Sequence, residues 1–458
     1  MERLPYAQRM RNRCIAITVL VTIIVAIVHC SSKDDPEESA KQLSEQQTAI
    51  TADTLAQAIA PSDTNPFDEP ITADTSVKET PNGLAALKGI EDEDFENSGN
   101  TAAGNAASAT NATVESTDNV RDTVHIKSQK DPILADKIDI LLRRYRPDLG
   151  VILVVNTRTN EIIAWGERRD GKVQNKPDWI GRPTFPAASL AKLVTIAAAM
   201  ESNRYSLNTP IPMIGRHHTL YLNQLRVPEK YNGPTMDLSE AFARSANPPM
   251  AIVGKNVGAK RLNAAAAKLG YNKRFPGNAP NASSYTAPDT GYGLAEVACG
   301  FTTSTTLTPL LAAAQVRAVL TKKPLEIPWA RDMAPFAPQK PLALDVGKFS
   351  ENTYYGLRES MLRSVTQGTA HKHMSTKNMA RKNFEALRLG GKTGSLDGTD
   401  PAGRYDWFMG FAEAKNDPSK SIVVIVMQMH REIRSQPATQ VAATVINYWA
   451  HQNLDLKK

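Results

Sequence analysis

From about residue 131 onward, hydrophobic and polar positions follow two spacings. Short apolar runs bounded by turn residues predict β-strands, and apolar residues recurring every three or four positions predict helices. The predicted strands lie at residues 150–155, 161–165, 386–395, 405–414 and 421–429, and the predicted helices at 133–144, 185–200 and 439–452, with a helix-rich stretch over about 200–385. This order predicts an α+β fold, in which an antiparallel five-stranded sheet is flanked by helices and carries a helical subdomain.

The N-terminal region has a different pattern. Residues 14–28 are almost wholly apolar, and four arginines precede them. The run is short for a hydrocarbon core roughly 30 Å thick, so a spanning helix needs its polar flanks to reach the interface. The arginines predict a cytoplasmic N-terminus at 1–13 and a membrane anchor at 14–30, with the rest of the chain exported.

Two alternatives to a retained anchor remain open at this stage. A cleaved signal peptide also combines basic residues with a short apolar run. Lipidation at Cys30 is the other alternative, although His29 stands where such processing sites take a small residue. In each case we expect the protein to be held at a membrane, single-pass if the anchor is retained, with its folded part exported.

Charge separates the next two regions. Residues 31–130 carry 7 basic and 19 acidic residues, with Phe67 and Phe95 as their only aromatics. This composition predicts a disordered acidic linker, because it cannot bury enough apolar surface to offset its ordering entropy. Residues 131–458 carry 43 basic and 27 acidic residues, an excess that suits solubility or attraction to an anionic polymer or membrane surface.

Composition also excludes some functions for the predicted folded domain. It contains no clustered basic helix and no aromatic stacking motif, so we expect no nucleic-acid partner. Cys299 is its only cysteine. A disulfide within the domain is therefore excluded, and the sequence suggests neither a metal site nor a cofactor.

The string Ser189-Leu190-Ala191-Lys192 is the only Ser-x-x-Lys in the chain. Only Lys192 and Thr195 interrupt the apolar stretch 190–200, which predicts a buried helix with both motif side chains on one face. Burial lowers the pKa of a lysine, so Lys192 is a candidate base for a nucleophilic Ser189. Taken alone, the string also fits a capping serine followed by a lysine that reaches solvent.

A second string, Lys392-Thr393-Gly394, also occurs once and follows two glycines in a predicted strand. Glycines permit a substrate backbone to approach and pair with a strand edge, and the lysine and threonine side chains suit a carboxylate. The backbone N–H groups of Ser395 and Ser189 are a candidate oxyanion hole. A glycine-rich bulge with an exposed lysine is the structural alternative.

The third string is less specific, because Ser-x-Asn occurs four times. It starts at Ser98, Ser206, Ser245 and Ser350. Ser98 lies in a low-complexity stretch, Ser206 follows the nucleophile helix too closely to fold back over it, and Ser350 precedes a new helical pattern. Order and setting favour Ser245 with Asn247, at a helix-to-turn junction before an apolar run.

With these strings in order, the sequence resembles the penicillin-binding transpeptidases and, more distantly, the serine β-lactamases. The stretches that carry the resemblance are 185–192, 244–248 and 390–395, supported by 291–311, 365–370 and 406–411. The resemblance covers about 131–458, which we therefore predict to be a transpeptidase domain. It implies that the substrate is the D-Ala-D-Ala end of a peptidoglycan stem peptide, and that β-lactams bind.

The resemblance also implies roles for the motif residues. Ser189 is expected to be the acylated nucleophile and Lys192 its base. Ser245 is expected to relay a proton to the leaving amine, and Asn247 to hold the substrate amide. The last string is expected to recognise the carboxylate through Lys392 and Thr393, with Gly394 beside them and the Ser395 amide completing the oxyanion hole.

Two departures from the family pattern shape the expected function. The linker holds neither a glycosyltransferase nor a pedestal domain, so a separate glycosyltransferase partner is expected. No Glu-x-x-Leu-Asn string is present, which argues against fast penicillin hydrolysis. The leading hypothesis is a D,D-transpeptidase anchored in the bacterial cytoplasmic membrane, with its catalytic domain in the periplasm or outside. The alternatives are a D,D-carboxypeptidase and a non-catalytic β-lactam or muropeptide sensor.

Overall fold

A computed structural model describes residues 130–181, 185–280 and 282–454 of the chain. The predicted cytoplasmic N-terminus, membrane anchor, Cys30 and all but the last residue of the linker lie outside these ranges. In the described ranges, no helix combines the length and the hydropathy that crossing a membrane requires.

The described residues form one six-stranded antiparallel sheet, with strand order β3-β2-β1-β10-β9-β8. The strands are β1 (Leu149–Asn156), β2 (Ile162–Arg169), β3 (Lys172–Val173), β8 (Leu387–Thr399), β9 (Ala402–Ala414) and β10 (Ser421–His430). Five of them correspond to the predicted strands. The sixth, β3, has two residues and pairs with β2 after a tight turn. A two-residue strand is too short to give a recognisable hydrophobic pattern.

The burial of strand β1 shows that both faces of the sheet are covered. It pairs with β10 from Leu149↔Met429 to Asn156↔Ile422 and with β2 on its other side. Alternate residues of a strand point to opposite faces, and all of β1 except its last residue is buried. Val151 and Leu153 therefore lie in one hydrophobic cluster, whereas Ile152 lies in a second.

The second cluster packs beneath the terminal helices. These are α1 (Pro132–Tyr145) and α10 (Ala438–Asn453). Helix α1 begins where Asp131 accepts a hydrogen bond from the N–H of Leu134, and it ends at Arg146 in the left-handed conformation. Both helices lie close to the predicted ranges, because their amphipathic spacing reflects burial against one sheet face.

The other face carries the helical insert. Its helices are α2 (Lys192–Glu201), α3 (Leu238–Ala243), α4 (Asn247–Val257), α5 (Ala259–Lys268), α6 (Gly291–Cys299), α7 (Pro309–Thr321) and α8 (Glu351–Thr366). Two small hairpins accompany them, β4 (Pro210–Pro212) with β5 (Thr235–Asp237) and β6 (Glu326–Ile327) with β7 (Leu342–Ala343). Helix α9 (Arg381–Ala386) packs instead against α10, where Asn383 Nδ2 donates to Asn447 Oδ1 at 2.9 Å. Asp237 accepts a hydrogen bond from the N–H of Glu240 and pairs with Arg363 at 2.6 Å. This pair joins the start of α3 to α8.

Candidate active site

The segment before Ser189 is extended, although the sequence predicted a helix from residue 185. Pro186 bridges Thr306, and the N–H of Ala187 donates to the carbonyl of Thr305 at 2.8 Å. The chain then makes a 3₁₀ turn over Ala188–Ala191, and α2 begins only at Lys192. The predicted helix start was wrong, because backbone bonds to the 305–307 segment replace helical ones over these residues.

The 3₁₀ turn packs closely against Gly300. Ala188 has a φ of 48°, a left-handed value that is uncommon for a residue with a Cβ. A Cβ at Gly300 would lie 2.0 Å from the carbonyl oxygen of Ala188, so only glycine allows this approach. Two residues before Ala188, the carbonyl of Pro186 accepts a hydrogen bond from Trp407 Nε1 at 3.1 Å. The nucleophile turn is therefore built by contacts distant in sequence.

A buried carboxyl group supports the same segment and was missed in the sequence. Glu167 accepts hydrogen bonds from the N–H groups of Asp178 and Trp179, and Trp179 stacks on Phe185 at 5.5 Å. Burial raises the pKa of Glu167 to about 7, partly opposed by those two backbone bonds. A single glutamate at the end of an apolar strand carries no recognisable sequence signal.

Lys192 is fully buried, and its Nζ makes three short contacts. It lies 2.8 Å from Ser189 Oγ, 2.7 Å from Asn247 Oδ1 and 2.6 Å from the carbonyl oxygen of Cys299. Burial lowers its pKa from 10.5 to about 8. The neutral amine has a lone pair for the Ser189 proton, so the pair suits deprotonation of the serine.

Ser245 lies in the short connection between α3 and α4. Its φ of 57° is left-handed, which lets the chain turn sharply before Asn247 opens α4. The N–H of Asn247 donates to the carbonyl of His217 at 2.6 Å, and its Nδ2 donates to that of His218 at 3.1 Å. Both ends of the Asn247 amide are thus engaged within the protein.

The other Ser-x-Asn strings have different environments. Ser350 caps α8 by accepting from the N–H of Thr353 at 3.2 Å, and Ser206 belongs to an exposed turn with Thr209. Ser98 lies outside the described residues. Only Ser245 among the described three contacts a lysine of another motif.

Lys392 brings the second and third strings together. Its Nζ donates to Ser245 Oγ and to the carbonyl of Thr393, each at 2.8 Å, and lies 5.5 Å from the centre of the Phe242 ring. The side chain is fully buried. Burial, and to a smaller extent the charge of Lys192, hold the pKa of Lys392 well below 10.5. The alternative of an exposed lysine is therefore wrong.

Lys392 lies on β8, which is an edge strand of the sheet. The reason for its glycines differs from the one inferred from the sequence. A Cβ at Gly390 or Gly391 would lie 2.4 Å from the ring of Phe411 or Phe408, so these two glycines accommodate the protein's own aromatic rings. Gly394 alone faces the nucleophile turn, where a Cβ would lie 3.2 Å from the carbonyl oxygen of Ala187.

Thr369 is a site residue that the sequence did not single out. Its Oγ1 lies 2.6 Å from Oγ1 of Thr393, and its N–H donates to the carbonyl of Ala243 at 3.1 Å. A Cβ at Gly368 would lie 2.2 Å from that carbonyl oxygen. The sequence signal for Thr369 was the Gly-Thr pair in the stretch 365–370, which resembles the penicillin-binding transpeptidases.

Two further side chains complete the cleft. The hydroxyl of Ser395 is buried and has no hydrogen-bond partner among the described residues. The pKa of His218 is lowered to about 4, mainly by desolvation and next by the charge of Lys192, which keeps this imidazole neutral. The sequence did not single out His218, because it lies outside all three strings. In the described ranges, no group of three or more His, Cys, Asp or Glu side chains suits a metal ion.

Together, the turn, the helix junction and the edge strand place two serine–lysine pairs beside one another. A Ser-x-x-Lys pair, a second serine and a Lys-Thr-Gly strand are the features of the active-site serine class that includes penicillin-binding proteins.

The comparisons with known proteins agree with this class. The penicillin binding protein transpeptidase domain family matches residues 150–447, more than half of the chain, and the chain belongs to that family. It is also 24% identical over 298 residues to the peptidoglycan D,D-transpeptidase PbpA of Mycolicibacterium smegmatis. That match covers 62% of this chain and 57% of the relative, so the chain spans less than two thirds of the relative's length.

Two solved structures share the fold. One is the apo transpeptidase domain of penicillin-binding protein 3 from Burkholderia pseudomallei, with a TM-score of 0.52 and 14% identity, covering 75% of this chain and 100% of that one. The other is a peptidoglycan glycosyltransferase from Burkholderia ambifaria, with a TM-score of 0.51 and 17% identity, covering 73% and 99%. At these identities, the likeness is one of fold alone.

Proposed function

We propose that this protein is a peptidoglycan D,D-transpeptidase that cross-links stem peptides through an ester on Ser189. The observation that carries the proposal is the pair of buried lysines, Lys192 and Lys392, each 2.8 Å from a serine hydroxyl in one cleft. Family membership and the name of the mycobacterial relative support the same substrate class. The motif spacing supports a serine mechanism, which needs no cofactor or metal.

Acylation begins with neutral Lys192. It accepts the proton of Ser189, whose Oγ attacks the carbonyl carbon of the penultimate D-Ala. The backbone N–H groups of Ser189 and Ser395 stabilise the resulting oxyanion. The terminal D-Ala leaves as an amine, protonated through Ser245, while its carboxylate is held by the strand residues of the third string.

Three groups bind the carboxylate of the terminal D-Ala. They are Lys392, Thr393 and the hydroxyl of Ser395, which has no partner among the described residues. A bound carboxylate favours the ammonium form of Lys392, which opposes the effect of its burial. Gly394 keeps β8 against the nucleophile turn. Asn247 orients Lys192 through the 2.7 Å contact, and it contacts the substrate amide once the cleft is filled.

Resolution of the ester decides between the related activities. An acceptor amine from a second stem peptide gives a cross-link, whereas water gives a trimmed peptide. β-Lactams acylate the same serine. The anchor at 14–30, the linker at 31–130, an exported catalytic domain at 131–458 and a separate glycosyltransferase partner belong to the same proposal.

The test uses the full-length protein in detergent with a labelled penicillin and with a D-Ala-D-Ala stem peptide. We expect a stable penicillin adduct, peptide cross-linking and complete loss of both in Ser189→Ala. Ser206→Ala is the matched control, because it removes an exposed hydroxyl and should leave both unchanged. An adduct that survives Ser189→Ala would contradict the ester, rapid penicillin turnover would indicate a lactamase, and trimming without cross-linking would indicate a carboxypeptidase.

A further inference from the structure

An open depression of about 340 Å³ lies between the end of α1 and the turn that joins β2 to β3. It is lined by Arg143, Arg146, Arg168, Gly171 and Val173. Strand β3 forms this edge of the sheet with β2 beside it, whereas the proposed active site lies along β8 at the other edge. Four strand spacings separate β2 from β8, which is about 19 Å. A ligand in this depression therefore leaves the cleft free.

The backbone at Arg146 points to a role for its side chain. This residue ends α1 with a φ of 47° and a ψ of 49°, a left-handed position that usually holds glycine or asparagine. Its N–H is satisfied by the carbonyl of Leu142 at 3.2 Å. Glycine would serve the backbone better here, so the arginine side chain is not needed for the turn.

Two backbone carbonyl groups hold the guanidinium group of Arg168 in place. Its Nη1 donates to the carbonyl of Pro147 and its Nη2 to that of Gly171 at 3.2 Å, which leaves further guanidinium N–H groups for a ligand. Burial lowers the pKa of Arg168, the charge of Asp148 opposes this shift, and the charge of Arg146 adds a smaller lowering. The neighbouring arginine charges thus repel one another.

Two carboxylates lie near the arginines. Asp139 lies 3.9 Å from Arg143, at the outer limit of an ion pair. Asp148 accepts a hydrogen bond from the N–H of Arg431 at 2.8 Å. A Cβ at Gly171 would meet nothing within 4 Å, so the depression is open on that side. Three arginines thus line one small volume, with Asp139 and Asp148 nearby.

We propose that this arginine depression binds a phosphate group, either a pyrophosphate or a phosphodiester. Guanidinium forks match phosphate oxygens bidentately, and a tetrahedral anion with several oxygens accommodates more than one fork. A planar carboxylate offers two oxygens, fewer than a phosphate group offers to three arginines. The volume is large enough for a phosphate with attached substituents. The site does not depend on the proposed transpeptidase activity.

The test is calorimetric titration of the full-length protein in nonionic detergent with two probes. One is inorganic pyrophosphate, and the other is dihexanoyl phosphatidylglycerol below its micellar concentration, with dihexanoyl phosphatidylcholine as the zwitterionic control. We expect saturable binding of at least one anionic probe. Tighter binding of the lipid would indicate a lipid headgroup as the source, and tighter binding of pyrophosphate a soluble phosphate.

Variants separate a built site from general charge. We expect Arg146→Gly and Arg143→Gln each to weaken binding about tenfold, as the loss of a charged hydrogen bond predicts. Arg146→Gly should also keep or raise the melting temperature, since glycine suits the left-handed backbone. Arg144→Gln removes the same charge from the adjacent position and should change the affinity less than twofold. No saturable binding of either anionic probe, or an equal loss in Arg144→Gln, would overturn the proposal.

Discussion

The two buried lysines of the cleft have similar surroundings but different partners. Lys192 and Lys392 are both fully buried and each lies 2.8 Å from a serine hydroxyl. Lys192 has two further acceptors within 2.7 Å, whereas Lys392 has one, at 2.8 Å, and an aromatic ring nearby. Burial lowers the pKa of both, to about 8 for Lys192 and well below 10.5 for Lys392. Hydrogen-bond partners, rather than burial alone, distinguish the proposed base from the proposed carboxylate ligand.

The sharpest test of this comparison replaces each lysine by methionine, which keeps most of the side-chain volume. We expect Lys192→Met to slow penicillin acylation about a thousandfold, because it removes the general base. Lys392→Met should cost about thirtyfold, because it removes one charged hydrogen bond to the carboxylate. Stopped-flow acylation measures both, with melting temperatures as the control for folding. Equal losses would mean that the two lysines do not have separate roles.

The pH dependence of acylation tests the base more directly. The neutral form of Lys192 accepts the proton, and its fraction grows as the pH rises toward its pKa of about 8. At pH 6 about one molecule in a hundred is neutral, and at pH 8 about half are, so the acylation rate should rise about fiftyfold and level off above pH 9. A rate that is flat or falls over this range would contradict a neutral lysine base.

The smallest expected effect is that of replacing Thr369, whose hydroxyl positions Thr393 next to Lys392. Thr369→Val removes the hydroxyl that lies 2.6 Å from Thr393. We expect the KM for the stem peptide to rise about fivefold with kcat little changed, as one neutral hydrogen bond predicts. Thr369→Ser should restore the wild-type KM. Thr366→Val is the matched control, because that hydroxyl bonds only within its own helix. A fall in kcat without a change in KM would argue against a role in substrate binding.

Much of the fold was predictable, because burial against a sheet leaves a regular pattern. The five long strands and the helices α1 and α10 lie close to their predicted ranges, since each presents an apolar face at its own period. The start of α2 was misplaced, because Ala187 donates to the carbonyl of Thr305 and Phe185 accepts from the N–H of Leu307, both more than a hundred positions away. Local spacing carries no information about such partners.

For the candidate site, the sequence by itself determined the chemical groups and their order. The unique strings at Ser189 and Lys392 named a nucleophile, a base and a cationic strand, and the apolar setting of Lys192 predicted its burial. Only the tertiary structure decided which groups meet. It joined Lys392 to Ser245 across 147 positions, added Thr369, and assigned Gly390 and Gly391 to the rings of β9. The physical reason is that a hydrogen bond or a close contact depends on distances in the folded chain, whereas a motif records only the distances along it.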